Sequence, residues 1–137
     1  MIMKSKTTVY DYSSNKEVPL WKLDTDTSIV HHFDDEKQKY VCFQFHTRYI
    51  EDHIRYTMQT YPERFQKLLD KGEVYSYFDE LEINAIDAAQ RQVELWKNSS
   101  KEYQIAVEKG DIVKQVGLLN TWESMAREII YDCMIYV

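Results

Sequence analysis

The N-terminal third of the sequence contains the side chains best suited to bind a metal ion: His31, His32, Cys42 and His46. A hairpin that turns within the polar run 34–37 would place His31 opposite Cys42, with both side chains on one face. Because thiolate and imidazole are zinc ligands, His31, Cys42 and His46 form a candidate zinc site. The spacing matches no standard zinc finger, however, and a Cys-x-x-Cys pair is absent. A packed thiol beside ordinary surface histidines is therefore favoured, and we expect no cofactor, with zinc as the alternative.

Catalysis by the remaining titratable side chains is disfavoured by their spacing. His46 and His53 are seven residues apart, so they would share one face of a helix, and histidine can act as a general acid or base. No nucleophile or carboxylate stands at a spacing that supports such a role, so a structural or surface role is favoured. Cys133 lies on an apolar stripe, where a buried, unreactive thiol is expected. We predict that the protein is not an enzyme.

Acidic residues are concentrated in the second half of the chain. The net charge is −6, and residues 61–137 hold fourteen Asp and Glu against nine Lys and Arg. Asp79, Glu80, Glu82 and Asp87 are the candidate partner-binding residues, because such a surface could mimic phosphates and compete for the basic groove of a nucleic-acid-binding protein. A solvated helix face is the more common explanation. Direct nucleic-acid binding is disfavoured, since no Lys/Arg cluster exceeds a pair.

The elements that carry these residues fall into two parts. Residues 7–45 contain strand-like segments, and the alternation of Val41, Phe43 and Phe45 predicts a β-hairpin, with a helix starting at Asp34 as the rival. Residues 46–137 show helical periodicity. Pro62 suits the first position of a helix and Gly72 its left-handed end. A helix over 74–97 follows, and then a short helix that begins with a Ser99–Glu102 capping box.

The last helix has the clearest apolar stripe: Ile112, Val116, Leu119, Trp122, Ala126, Ile129, Cys133 and Tyr136. This stripe would pack lengthwise on the 74–97 helix or on another subunit, which would make a homodimer through the C-terminal helix. We predict a single domain over 1–137 that is mainly α, an irregular bundle of four or five helices with a small N-terminal β element.

The bulk composition indicates a cytoplasmic protein with no membrane partner. The two cysteines are far apart in sequence, which disfavours a disulfide framework and suits a reducing compartment. No stretch approaches the roughly 20 apolar residues of a membrane span.

A family resemblance covers roughly residues 48–137. The order and spacing of scattered positions resemble the transposon-encoded TnpV proteins: Arg55-Tyr56, Pro62, Leu68-Leu69, Gly72, Ser76-Tyr77, Val116-Gly117, Asn120, Ala126 to Ile130 and Ile135-Tyr136. The N-terminal 45 residues depart from the family. The resemblance implies residence on a bacterial mobile element, and it implies no catalytic residues.

These observations lead to one expected function and two alternatives. We expect a non-enzymatic, mobile-element-encoded protein that binds another protein, in its most concrete form an anti-CRISPR-like inhibitor of a nucleic-acid-guided nuclease acting through the acidic helical face. The first alternative is an accessory factor for transposition or conjugation that binds a recombinase or DNA. The second is a metal-dependent enzyme that uses His31, Cys42 and His46.

Overall fold

The computed structural model describes residues 1–45 and 47–137 and has an α+β architecture. The strands are β1 Ile2–Lys4, β2 Thr8–Asp11, β3 Lys16–Pro19, β4 Trp21–Asp24, β5 Ile29–Asp34 and β6 Lys39–Gln44. The helices are α1 Arg48–Thr60, α2 Glu63–Lys71, α3 Val74–Ser99, α4 Lys101–Glu108 and α5 Ile112–Ile130, followed by a π-helical turn over Tyr131–Ile135. The predicted combination of helices with an N-terminal β element is confirmed. The β part is larger than predicted, because it begins at Ile2 and contains six strands.

The six strands form two antiparallel sheets. One sheet has the order β1-β4-β5-β6, and β2 pairs with β3 in the other. The predicted hairpin between β5 and β6 is confirmed, with His31 paired to Cys42. The Asp34 carboxylate accepts the backbone N–H groups of Glu36 and Lys37, which stabilises a turn instead of a helix start. The rival helix at Asp34 is therefore wrong.

The chain divides into two compact units, Met1–Glu82 and Ile83–Val137, and each is described separately. The first unit packs one face of the sheet against α1, α2 and the start of α3. Its core residues are Leu23, Val30, Ile50, Ile54, Phe65, Leu69, Val74 and Phe78. Leu23 and Val30 are paired across β4 and β5, so they enter this core from the same face of the sheet.

Two helix boundaries follow from local chemistry. Gly72 ends α2 with φ +72°, as predicted, and its N–H donates to the carbonyl of Leu69. The predicted cap at Ser99 is wrong by one residue. Because α3 continues to Ser99, whose hydroxyl donates to backbone carbonyls of its own helix, Ser100 caps α4 by accepting the N–H of Tyr103.

The second unit buries less of the predicted C-terminal stripe than expected. Ala126 is buried, while Ile129 and Cys133 are exposed, so the prediction of a buried Cys133 thiol is wrong. For Cys133 the physical reason is the π-helical turn, in which the N–H of Tyr136 donates to the carbonyl of Tyr131. Ile129 lies in α5 before this turn. This turn contains one residue more than an α-turn, so Ile135 becomes the buried position. None of the helices in the described ranges has the length and apolar character of a membrane span.

Candidate functional site

The β5–β6 hairpin brings together two of the three predicted metal ligands. The Nδ1 atom of His31 lies 3.1 Å from the Sγ atom of Cys42, and Cys42 is exposed. The predicted packed thiol at Cys42 is therefore wrong. His46, the third predicted ligand, lies outside the described residues. Within 1–45 and 47–137, no group of three His, Cys, Asp or Glu side chains is arranged to hold a metal ion.

The surroundings of His31 favour its neutral form. Burial lowers the pKa of His31 below 6.5, and the Lys22 ammonium lowers it further, while the Asp24 carboxylate acts in the opposite direction. Lys22 also lies over the ring of Tyr40, 3.8 Å from its centre. A neutral imidazole can accept a hydrogen bond from the Cys42 thiol. His32 is held separately, with its ring 4.1 Å from that of Trp21.

The four predicted acidic residues all lie on α3 but differ in their surroundings. Glu82 accepts hydrogen bonds from the backbone N–H and the hydroxyl of Thr47, so it stabilises the start of α1. Asp87 is exposed and pairs with Arg91 one turn later. Glu80 is exposed, and Asp79 is half-buried. Glu80 belongs to the first unit and Asp87 to the second, seven positions later in the sequence.

The first two turns of α5 expose large apolar side chains. Ile112 is 69% exposed, Val113 is 85% exposed and Val116 is 48% exposed. At about 100° per residue, the three project from one side of the helix, and we call them the α5 patch. Of the large hydrophobic side chains that are exposed among the described residues, eleven of sixteen belong to the second unit. This unit thus exposes apolar area that a partner could cover.

His53 is a buried residue of α1, which agrees with the structural or surface role favoured for it from the sequence. It is 1% exposed, and its Nε2 atom lies 2.7 Å from the hydroxyl of Tyr77. Tyr77 lines a cleft of about 510 Å³ beside α2, together with Arg64, Lys67 and Lys71. We call this the α2 cleft. The three- and four-residue spacing of its cations is a signal in the sequence, which a search for adjacent cations does not detect.

Comparisons of the chain with protein-family models, with curated proteins and with solved structures give no match.

Proposed function

We propose that this chain is a non-enzymatic protein of a mobile element that acts by docking on another protein. The observation that supports the proposal best is the α5 patch, whose three apolar side chains are exposed on one side of a helix. Exposed apolar clusters of this kind are typical of interaction sites. The resemblance to TnpV proteins covers the same helix and supplies the connection to a mobile element.

The proposed occupant of the α5 patch is a protein with a basic nucleic-acid-binding groove. The chain has a net charge of −6, and both Glu80 and Asp87 are exposed on α3. Charge complementarity would bring such a partner to the chain, and apolar contact would retain it. In its most concrete form, the partner is a CRISPR-type nuclease that the chain inhibits in the cytoplasm.

The α5 patch is tested by replacing Ile112, Val113 and Val116 with Gln, a helix-compatible polar residue. We expect the triple variant to lose inhibition of a purified CRISPR nuclease, because exposed apolar contacts are removed. The matched control replaces Met125 and Ile129, which are exposed on the opposite side of α5, with Gln. Inhibition that survives the triple change, or its absence from the unmodified protein across a panel of such nucleases, would overturn this form of the proposal.

The acidic contribution is tested by a variant that retains the internal contact of Glu82. Asp79→Asn, Glu80→Gln and Asp87→Asn together should weaken inhibition and reduce its dependence on salt. The control changes Glu17, Glu36 and Glu51 to Gln, which removes the same charge from exposed positions in the first unit. Equal effects of the two triple variants would show that net charge alone matters, and would contradict phosphate mimicry.

An accessory role in transposition or conjugation is a second candidate, and the resemblance to transposon-encoded TnpV proteins favours it. Such a protein would bind a recombinase or the ends of its element. A gel-shift assay with those ends decides the question, because binding to phosphates releases counterions and falls steeply with salt. Salt-sensitive binding to bare DNA would favour this role over docking on a nuclease.

A metal-dependent activity that uses His31, Cys42 and His46 is the third candidate, and strand pairing brings the first two of these side chains together, 3.1 Å apart. In tetrahedral zinc coordination, a thiolate and an imidazole nitrogen lie about 3.5 Å apart, so a small opening of the pair would fit the ion. Titration with Co²⁺ should then give thiolate charge-transfer absorption that Cys42→Ser abolishes. Absorption that persists in Cys42→Ser would exclude these ligands.

A further inference from the structure

The α2 cleft concentrates positive charge in a strongly acidic chain. Arg64, Lys67 and Lys71 line it at successive turns of α2, and Glu63 and Glu73 also line it. These five side chains have a net charge of +1, against −6 for the whole chain. In the described part of the chain, neither Lys67 nor Lys71 forms an ion pair. The two ammonium groups are thus available to an anion.

One wall of the α2 cleft is aromatic and apolar. The Arg64 guanidinium lies 4.7 Å from the centre of the Tyr61 ring, which keeps its charge at the cleft. Leu68 also lines the cleft, and it lies between Lys67 and Lys71 in the sequence. The cleft therefore combines cations with a surface that can contact an organic group.

Tyr77, which lines the α2 cleft, is held in place by a hydrogen bond. The hydroxyl of Tyr77 lies 2.7 Å from the Nε2 atom of His53, which is buried in α1. The ring of His53 packs 6.1 Å from that of Phe65, so the imidazole is held by the core. A tyrosine hydroxyl can donate and accept hydrogen bonds at once, so Tyr77 can contact both His53 and a ligand.

We propose that the α2 cleft binds a small phosphate-bearing molecule, a function additional to docking on a partner protein. Its volume of about 510 Å³ is in the usual range of small-molecule sites. A phosphate monoester carries up to two negative charges and three acceptor oxygens, which match two lysines and one arginine. The Tyr61 and Leu68 wall suits the organic part of the ligand. Three cations in a concave cleft fit one such ligand better than a nucleic-acid backbone, which needs a longer row of contacts.

The experiment uses the full chain and isothermal calorimetry with two probes, inorganic pyrophosphate and ADP. We expect both probes to bind, and ADP to bind more tightly because of its organic part. Lys67→Gln with Lys71→Gln should weaken binding by about tenfold or more, since charge-assisted contacts are lost. Both lysines are exposed, so the fold should persist. The matched control, Lys101→Gln with Lys109→Gln, removes the same charge from exposed positions of the second unit.

Further readouts make the outcomes distinct. Tyr77→Phe should weaken ADP binding while His53 stays buried, as monitored by its NMR signals. The proposal is overturned if neither probe binds at millimolar concentration, or if both double variants lose affinity equally. Tighter binding of a single-stranded oligonucleotide than of ADP would also overturn it and would favour a nucleic-acid surface. The α5 patch variants test docking independently of these results.

Discussion

At the scale of single residues, the His31–Cys42 pair depends on the protonation state of the imidazole. Lys22 and Asp24, one strand away, act on His31 in opposite directions, but burial is the largest cause and lowers its pKa below 6.5. An unfolded chain therefore binds a proton on His31 more readily than the folded chain does. The stability associated with this residue is complete above pH 6.5, and it is lost as pH falls through the folded pKa.

We expect the unmodified chain to lose more stability than His31→Gln between pH 7 and about pH 5. The measurement is the urea midpoint at each pH, with a chelator present so that metal binding does not contribute. The two proteins differ only at residue 31, so contributions common to both cancel in the difference. A steeper acid loss in His31→Gln would mean that the folded pKa is raised, which is the opposite of the expected sign.

Thr57 is a second residue with a measurable effect, because its buried hydroxyl should lower the free energy of unfolding. Thr57 is fully buried in α1, and its Oγ1 atom has no hydrogen-bond partner among the described residues. Thr57→Val removes this hydroxyl while retaining the shape, so the free energy of unfolding should rise by about 1 kcal/mol. Thr57→Ser retains the hydroxyl and removes a methyl group, so it should lower stability. A lower denaturation midpoint for the valine variant would contradict the expectation.

At the scale of elements, two glycines should respond oppositely to the same change. Gly72 has φ +72°, and a Cβ atom there would lie 3.2 Å from the Trp21 Nε1 atom. Gly72→Ala should therefore lower the free energy of unfolding by about 1 to 2 kcal/mol. Gly117 lies inside α5 with open space around it, so Gly117→Ala should raise stability by up to about 1 kcal/mol. Chemical denaturation of both variants checks the pair. A more stable Gly72→Ala variant would contradict the expectation for Gly72, and a less stable Gly117→Ala variant would contradict that for Gly117.

Elements were predictable where the local signal and the tertiary structure agree. The Gly72 helix end, the 34–37 turn and the long helix from Val74 all follow from residue types and spacing. Strand β1 was missed because three residues are too few to show a period, and its place depends on pairing with β4. The burial of Cys133 was misjudged, because a uniform α-helical period does not include a π-helical turn.

The candidate sites were predictable only in part, for a similar reason. Strand pairing placed His31 opposite Cys42, as the turn position implied. The α2 cleft was missed because its parts come from α1, α2 and α3, and spacing along one segment cannot show that Tyr77 contacts the buried His53. Helical periodicity was enough to predict that the four acidic residues lie on one helix: Asp79, Glu80, Glu82 and Asp87. The contact of Glu82 with Thr47 was not predictable, because it joins residues far apart in sequence.

At the scale of the whole molecule, acidity opposes association through the exposed apolar side chains. The sequence has a pI of about 5.2, so its charge repulsion disappears near that pH. We expect light scattering to show reversible association of the chain as pH falls toward 5.2, and less of it in the Ile112, Val113 and Val116 triple Gln variant. A defined dimer at neutral pH, lost in the same variant, would instead identify a second copy as the occupant of the α5 patch.

The π-helical turn over Tyr131–Ile135 has a consequence for how the C-terminus tolerates changes in length. Because a π-turn holds one residue more than an α-turn, deleting a single exposed residue such as Asp132 could be absorbed by a return to regular α-helix. The residues upstream would keep their contacts, and Ile135 would retain its inward position. An inserted residue cannot be accommodated in this way. We therefore expect an insertion at this point to lower the free energy of unfolding more than a deletion does.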